Sequence, residues 1–276
     1  MSNFSSPSTS IAFIGGGNMA SAIIGGLLRQ GMAAEQIEVV EPFAAARAAL
    51  QEQFGIQARA EAGSALARAQ LVVWAVKPQT FKEAAAAAAA HTGAALHLSV
   101  AAGISTDSIA AWLGSERIVR AMPNTPALIG QGITGLFARP AVDAAARALV
   151  EQVVASTGKH LWVSEETQLD AVTALSGSGP AYVFLFLEAM TQAGVEMGLG
   201  AHQSYQLAVA TFQGAAELAA RSSEPAEVLR QRVTSKGGTT HAAISHMQQA
   251  QLPEQFIAAM RAAEQRAKEL AEEFGR

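Results

Sequence analysis

The stretch Ile11–Ala20, "IAFIGGGNMA", decides the fold of this chain. Apolar residues followed by glycines predict a buried β-strand that turns sharply into a helix. Gly15, Gly17 and Ala20 fit the spacing G-x-G-x-x-G/A. In this motif the first glycine permits the tight turn, and the second lets the backbone approach a pyrophosphate. The small third residue lets the helix pack closely on the strand. The helix N-terminus adds N–H groups that attract an anion. The pattern predicts a dinucleotide site, with a purely structural glycine turn as the alternative.

Short apolar runs alternate with helical segments as far as residue 164. Further strands are predicted at "IEVVE" (37–41), "LVVWAV" (71–76), "ALHLSVAA" (95–102), "RIVRAM" (117–122), "GITGLFA" (132–138) and "KHLWVS" (159–164). The alanine run at 84–90 is predicted to be a crossover helix. Such alternation is typical of a parallel sheet with helices on both faces. We therefore predict an α/β fold, a Rossmann-like doubly wound sheet over residues 11–164, after a disordered lead-in over residues 1–10.

An acidic residue ends the second predicted strand, about 20 residues beyond the glycines, where a carboxylate usually binds the adenosine ribose hydroxyls. This residue is Glu41, which favours NADH because a carboxylate repels the 2′-phosphate of NADPH. No arginine follows directly, but Arg47 lies close enough along the next helix for NADPH to remain open. An ordinary exposed strand end is the alternative role for Glu41.

The alternation stops beyond residue 164, and residues 165–276 are predicted to be helical throughout. The segment "AYVFLFLEAM" (181–190) places five large apolar residues in succession, so its helix is apolar on every side. Such a helix must be buried all round. About a hundred residues of helix rarely achieve that within one chain, so we predict a homodimer, the alternative being burial in a larger single-chain core.

A second glycine stretch, "VTSKGGTTHAA" (233–243), interrupts the helices. Gly237 and Gly238 let successive backbone N–H groups point into one concavity, and the loop leads into a helix predicted to begin at His241. Such a loop is shaped for a small anion such as a carboxylate. Ser235, Thr239 and Thr240 add hydroxyl groups, while a tight turn with a capping threonine is the alternative.

Composition narrows the function classes. The chain has 276 residues, of which 50% are hydrophobic and 15% charged, and its formal net charge is -4. This composition does not predict a basic surface that would bind nucleic acid. Windows that lack charge are too weakly apolar to predict a membrane span. The absence of cysteine excludes disulfides and thiolate chemistry and fits a reducing cytoplasm.

No classical catalytic group stands out. The segment "SGSGP" (176–180) lacks the spacing of a nucleophile elbow. His241 and His246 are five residues apart, so a helix would point them to different faces, and no metal is predicted. A reductase can work without such groups, because the nicotinamide carries the hydride while the protein binds and orients the reactants.

Six segments together resemble the pyrroline-5-carboxylate reductase family across nearly the whole chain. They are "FIGGGNMA" (13–20), "AVKPQ" (75–79), "SVAAGI" (99–104), "RAMPNTPA" (120–127), "SGSGPAYVF" (176–184) and "VTSKGGTT" (233–240). The resemblance implies NADPH- or NADH-dependent reduction of a cyclic imine to proline. It also implies homodimers that often assemble into decamers, with the active site between the dinucleotide domain of one subunit and the helical domain of its partner.

The resemblance also implies roles for individual residues. In the second glycine loop, Ser235, Gly238 and Thr239 would hold the substrate carboxylate, and the Thr240 hydroxyl would bond the ring nitrogen. On the cofactor side, the implied residues are Val76, Lys77, Pro78, Ala101 and Ala102, with Asn124 bracing the floor of the site. They join the cofactor residues of the first glycine stretch and the second strand, which are Gly15, Gly17, Asn18, Met19 and Glu41. Members of the family commonly prefer NADPH, a preference that Glu41 puts in doubt. The family often has proline where this chain has Lys236, which predicts only a change in loop stiffness or local charge.

Two rival functions stay open at this level. A β-hydroxyacid dehydrogenase or another imine reductase would also join a Rossmann domain to helices. The hydroxyacid enzymes usually donate a proton from a helical lysine, whereas Lys236 is the only lysine between Lys159 and Lys268 and is predicted to lie in a loop. The other rival, a nucleotide-sensing dimer without catalysis, would have no reason to keep a carboxylate-binding loop.

Overall fold

The computed structural model describes residues 9–275. Most of the predicted lead-in, residues 1–8, lies outside the described residues. Its last two residues are held by hydrogen bonds: the Thr9 carbonyl accepts one of 2.9 Å from Gln36 Nε2, and the Ser10 carbonyl accepts one of 2.9 Å from the Gln70 N–H. The chain is therefore attached to the sheet domain from Thr9 onward.

A seven-stranded sheet in the order β2-β1-β3-β4-β5-β6-β7 forms the centre of the first part. Its strands are β1 (Ile11–Ile14), β2 (Ile37–Val40), β3 (Leu71–Trp74), β4 (Leu96–Ser99), β5 (Ile118–Met122), β6 (Gly132–Ala138) and β7 (Gly158–Trp162). Neighbouring strands are parallel except β5 and β6, which are antiparallel. The order reverses direction at β1, so the predicted doubly wound α/β fold is confirmed.

Helices cover both faces of this sheet. They are α1 (Asn18–Arg29), α2 (Ala44–Phe54), α3 (Pro78–Thr92), α4 (Thr106–Leu113) and α5 (Ala144–Val154). Alternate residues of β1 enter different cores: Ile11 and Phe13 lie in one buried cluster, Ala12 and Ile14 in the other. Because successive side chains of a strand point to opposite faces, two separate cores require a sheet covered on both sides.

Most predicted elements of the sheet domain are confirmed with shorter bounds. The alanine run lies inside α3, and Gly55 ends α2 in the left-handed conformation with φ +72°. The helix α4 was not predicted. Its N-cap residue Ser105 accepts a 3.1 Å hydrogen bond from the Ser108 N–H, a cap that the sequence alone could have indicated.

The remaining chain is helical, as predicted. It contains α6 (Gln168–Val172), a π-helical turn (Thr173–Gly177), α7 (Gly179–Glu196), α8 (Ala201–Arg221), α9 (Ala226–Arg232), α10 (Thr239–Gln249) and α11 (Leu252–Phe274). The first helix of this predicted helical part is thus interrupted: the Ser178 N–H donates to the Thr173 carbonyl at 2.8 Å, the spacing of a π turn. Such turns occur frequently at functional sites.

The described chain divides into two compact units, one from Thr9 to Ser178 together with the residues from Ala263 onward, the other from Gly179 to Ala262. The sequence placed the boundary after residue 164. The difference arises at α6, which packs on β6: a Cβ added at Gly135 would lie 2.8 Å from a methyl group of Val172. Leu169 of α6 is fully buried. A functional division at residue 164, between a dinucleotide-binding domain and a domain for dimerisation and substrate binding, stays a prediction.

The helices of the second unit carry many exposed apolar side chains. Phe184 is 58% exposed, Leu185 63% and Leu218 70%. Inside the unit, the Phe256 ring packs against Tyr182 and Phe186, with ring centroids 5.6 and 5.8 Å apart. An apolar surface of this extent on α7 and α8 is typical of a protein–protein interface. Within residues 9–275, no helix has the length and apolar character needed to cross a bilayer.

Candidate functional site

The turn after β1 requires glycine. Gly15 has φ +95°, and its N–H donates a 2.8 Å hydrogen bond to the Val40 carbonyl. A Cβ at this position would lie 2.6 Å from the Ala75 carbonyl oxygen, so any side chain would clash with the backbone after β3. The first glycine of the predicted G-x-G-x-x-G/A motif therefore allows a tight turn between the ends of β1, β2 and β3.

The end of this turn has room for a ligand. Gly17 is the N-cap of α1 and has no side chain to cap the helix, and the first turn of the helix carries no acidic residue. A Cβ added at Gly17 would meet nothing within 4 Å. Asn18 and Met19 are the first helical residues, so their N–H groups lie at the positively polarised end of α1. These features fit a dinucleotide pyrophosphate.

Other predicted cofactor residues follow the neighbouring strands β3 and β4. Val76 lies beside the glycine turn, with a methyl carbon 3.1 Å from where a Gly15 Cβ would be. Lys77 is the N-cap of α3 and Pro78 its first residue. Ala101 is buried and its N–H donates a 3.3 Å hydrogen bond to Ser99 Oγ, with Ala102 next to it. Because β1, β3 and β4 are adjacent and parallel, the fold brings these residues together at one sheet edge.

The Glu41 carboxylate has two backbone partners that the sequence analysis did not predict. Its Oε2 accepts a 2.8 Å hydrogen bond from the Gly16 N–H, and its Oε1 accepts one of 2.9 Å from the Phe43 N–H. Glu41 is only 6% exposed. It is therefore neither the exposed strand end nor a carboxylate free to face a ribose, and its predicted ribose contact stays a prediction without support from this geometry.

Asn124 follows β5, and both the oxygen and the nitrogen of its side-chain amide are hydrogen-bonded. Its Oδ1 accepts a 3.0 Å hydrogen bond from the Ile133 N–H, and its Nδ2 donates one of 3.2 Å to the Ser176 carbonyl. This side chain thus joins the start of β6 to the π turn. The bonds fit the predicted bracing role, while direct contact of Asn124 with a cofactor stays a prediction.

The second glycine loop forms a four-residue turn from Ser235 to Gly238. The Gly238 N–H donates a 3.0 Å hydrogen bond to the Ser235 carbonyl, and Gly237, at the third position, has φ +77°. A positive φ at that position is typical of a type II turn, which favours proline at its second position, here Lys236. A Cβ at Gly238 would lie 2.7 Å from Ser235 Oγ, so a larger residue here would displace that hydroxyl.

The turn leaves donors free for a ligand. Helix α10 begins at Thr239, earlier than the predicted His241, and its N-cap residue is Gly238, which has no side chain to cap the helix. The first N–H groups of the helix, including those of Thr239 and Thr240, therefore lack partners within it. Among the described residues, the hydroxyls of Ser235, Thr239 and Thr240 take part in no side-chain hydrogen bond. Three hydroxyls and a helix N-terminus suit one small carboxylate.

The electrostatics beside this loop also favour an anion. A groove between α9 and α10 adjoins the loop and is lined by Arg230, Thr234, His241 and Ser245, among others. Arg230 brings a positive charge to this groove, and no carboxylate is among the described residues that line it. The local charge thus agrees with the anion preference predicted from the glycines.

A largely buried polar network that the sequence analysis missed joins the start of α4 to β5. Glu166 accepts hydrogen bonds from the Thr106 N–H at 2.7 Å and from Arg120 Nη1 at 3.0 Å. Burial raises the pKa of the nearby Asp170 carboxyl, with the positive charge of Arg120 opposing the shift. Apolar periodicity cannot reveal such a network, because its members lie far apart in the sequence.

Comparison with known proteins bears on both halves of the chain. A family model described as pyrroline-5-carboxylate reductase dimerisation matches residues 166–270, and one described as NADP oxidoreductase, coenzyme F420-dependent, matches residues 10–103. A pyrroline-5-carboxylate reductase of Pseudomonas aeruginosa is 47% identical over 268 residues, covering 96% of this chain and 98% of that protein. The dimerisation match and the exposed apolar helices agree on a chain that self-associates.

Solved structures give the same result. A pyrroline-5-carboxylate reductase from Coxiella burnetii superposes with a TM-score of 0.89 at 39% identity, covering 96% of this chain and 99% of that one. A Plasmodium falciparum pyrroline carboxylate reductase with NADP bound superposes with a TM-score of 0.85 at 27% identity, covering 98% and 99%. The likeness extends over both compact units.

Proposed function

Because this chain belongs to the pyrroline-5-carboxylate reductase family, we propose that it reduces the cyclic imine pyrroline-5-carboxylate to L-proline with NADPH or NADH, the last step of proline biosynthesis. One observation carries the proposal: a tight glycine turn places free hydroxyls and a helix N-terminus together at residues 235–240. Substrate and product share one small carboxylate, which is the group that such a loop binds.

The sheet domain holds the cofactor in this proposal. A bound nicotinamide dinucleotide supplies the hydride. Gly15 permits the tight turn, Gly17 leaves room for the pyrophosphate, and the N–H groups of Asn18 and Met19 attract its charge. The backbone after β3 and β4, at 76–78 and 101–102, lines the nicotinamide side. The protein thus contributes position and local field, and the hydride chemistry belongs to the cofactor.

The loop from Ser235 to Thr240 holds the substrate. The Gly238 N–H already closes the turn, so we assign Gly238 a shaping role. The carboxylate is bound by the Ser235 hydroxyl and by the N–H and hydroxyl of Thr239, while Thr240 Oγ1 orients the ring nitrogen. Fixing a small imine at both ends limits its rotation before hydride arrives, and such positioning can supply much of the acceleration. The nitrogen takes its proton from solvent.

The assembly and location complete the proposal. The apolar faces of α7 and α8 pair with a second copy, and dimers assemble further, a decamer being the expected ring. We place the activity in the cytoplasm, where reduced nicotinamide dinucleotides are available. Light scattering of the purified protein measures the mass of the assembly directly.

Incubating the purified chain with pyrroline-5-carboxylate and NADPH or NADH tests the activity. We expect the nicotinamide absorbance to fall with stoichiometric formation of proline. Parallel reactions with a β-keto acid and with a cyclic imine that lacks the carboxylate separate the rival oxidoreductases. Cofactor binding without turnover of any of the three would indicate a nucleotide-sensing dimer instead.

A further inference from the structure

The loop after β4 carries two residues that the proposed function places beside the nicotinamide, Ala101 and Ala102. Both ends of this loop are hydrogen-bonded: the Val100 N–H donates to the Trp74 carbonyl at 3.0 Å, and Ser105 caps α4. Between these ends, the loop packs against the last turns of α11, which belong to the same compact unit. The loop therefore has a neighbour that is distant from it in the sequence.

This contact is made by backbone atoms on both sides. Gly103 has φ +72°, a conformation that favours glycine. A Cβ built on Gly103 would lie 3.1 Å from Leu270 Cβ, 3.2 Å from the Leu270 carbonyl carbon and 3.4 Å from the Ala271 nitrogen. Glycine thus lets α11 approach the loop closely, so a displacement of the helix would be passed directly to the loop.

Two further contacts hold the end of α11 in place. Phe274, the last residue of the helix, packs against the buried apolar cluster that contains Ala101 and Ile104. Next to it, Ser108 Oγ of α4 donates a 2.5 Å hydrogen bond to the Gly275 carbonyl. The helix end is therefore attached both to the core under the loop and to the helix that follows the loop.

The position of this loop matters because hydride transfer tolerates little displacement. A misplacement of about 1 Å at the reacting groups can lower a rate by about a hundredfold. Ala101 and Ala102 have no side-chain torsion with which to adjust to the ring, so the backbone alone sets where they lie. Whatever fixes that backbone therefore influences how the nicotinamide is oriented.

We propose that Phe274 is a positioning residue for hydride transfer. By holding the end of α11 against Gly103, it fixes the backbone of Ala101 and Ala102 beside the nicotinamide, without touching the cofactor or the substrate itself. The inference rests on the proposed function, because that function places the nicotinamide at this loop. It gives the last turns of α11 a role in the reaction that neither glycine loop contains.

Binding measurements on the full-length protein test this role without any substrate. In Phe274→Ala, the fluorescence anisotropy of the bound reduced nicotinamide should fall, because the ring moves more freely. Affinity for ADP-ribose and its 2′-phosphate, which lack the nicotinamide, should match the parent. Unchanged anisotropy, or a clear loss of affinity for these fragments, would overturn the assignment.

Steady-state kinetics supply the second readout. Phe274→Ala should lower kcat for reduction of pyrroline-5-carboxylate about tenfold. Phe274→Leu keeps an apolar side chain at the anchoring position and should restore kcat to within about twofold of the parent. A kcat in Phe274→Ala equal to that of the parent would contradict the proposal.

Leu149→Ala is the control that separates positioning from a general loss of stability. Leu149 is half-buried on α5 and packs against the other core cluster. Both alanine variants should lower the free energy of unfolding in urea, but Leu149→Ala should keep kcat within about twofold of the parent. An equal loss of kcat in the two variants would show that activity follows stability alone and would overturn the assignment.

Ser108→Ala decides the question if Phe274→Ala does not fold. This variant removes only the hydroxyl that binds the Gly275 carbonyl, so kcat should fall about threefold while affinity for ADP-ribose stays that of the parent. If kcat is unchanged in Ser108→Ala, the inference fails while the reductase activity of the parent stands. A parent that neither binds a dinucleotide nor reduces the imine would refute the proposed function, and this inference with it.

Discussion

The indole Nε1 of Trp74 donates a 3.2 Å hydrogen bond to His97 Nδ1 between the neighbouring strands β3 and β4. Because Nδ1 accepts, a neutral His97 must carry its proton on Nε2, which is buried and has no partner among the described residues. Burial, and secondarily the charge of Arg117, lowers the His97 pKa to about 4. This histidine thus serves as a neutral acceptor for tryptophan.

His97 predicts a pH dependence of stability. Above the unfolded pKa near 6.5, both states are neutral and its contribution is complete. Between about 6.5 and about 4 the unfolded chain binds a proton that the folded chain does not, so stability falls as the pH falls. The loss should reach about 3 kcal/mol.

The non-titrating variant His97→Asn isolates this effect, because its Oδ1 can still accept from Trp74. Urea unfolding at several pH values should show a shallower slope for the variant between pH 6.5 and 4, whatever its stability at pH 7. Identical slopes in parent and variant would show that His97 does not cause the pH dependence.

Gly17 and Gly15 should respond differently to alanine. At Gly17 an added methyl group meets no protein atom but occupies the space assigned to the pyrophosphate. Gly17→Ala should therefore leave the free energy of unfolding within about 0.5 kcal/mol of the parent and weaken dinucleotide binding about tenfold or more. Gly15→Ala is the contrasting variant, and its clash with the Ala75 carbonyl should cost more than about 2 kcal/mol of stability. Undiminished dinucleotide affinity in Gly17→Ala would place the pyrophosphate elsewhere.

The ion pair between Arg120 and Glu166 predicts a stability effect within the first compact unit. The Arg120 side chain is 7% exposed, so removing its partner leaves a buried charge uncompensated. Glu166→Ala should lower the free energy of unfolding by about 3 kcal/mol. The neighbouring exposed carboxylate gives the control: Glu165→Ala should change it by less than about 0.5 kcal/mol. Equal effects in the two variants would show that the buried pair contributes nothing specific.

Thr240 and Ser235 should affect catalysis without affecting the cofactor. Thr240→Val keeps the shape but removes the hydroxyl that we assign to the ring nitrogen, so kcat should fall about tenfold or more. Ser235→Ala removes a carboxylate ligand and should mainly raise KM for the imine. Dinucleotide affinity should match the parent in both. Steady-state kinetics identical to the parent in both variants would remove this loop from the active site.

Periodicity and glycine spacing predicted the sheet domain well, because both are local signals. The strand after Ser10 and the alanine-rich α3 both follow from neighbouring residues. The resemblance added the roles of the glycine loop at 233–240. Its geometry agrees, since Lys236 occupies the turn position that favours the proline expected there.

Side-chain partners were the part that the sequence could not predict. Glu41 has the position of a ribose ligand in the sequence, yet its partner Gly16 is fixed by how β1 and β2 lie together. The burial of α6, which moved the packing boundary from 164 to Ser178, depends on contacts with β6. Both are tertiary effects, which no local pattern encodes.

A crystal structure of the full-length protein with NADP and proline tests the central claim most directly. The account predicts that the proline carboxylate lies within about 3 Å of the Ser235 hydroxyl and of the Thr239 N–H, with Thr240 Oγ1 facing the ring nitrogen. Proline bound elsewhere, with the turn at 235–238 making no contact to it, would contradict the account.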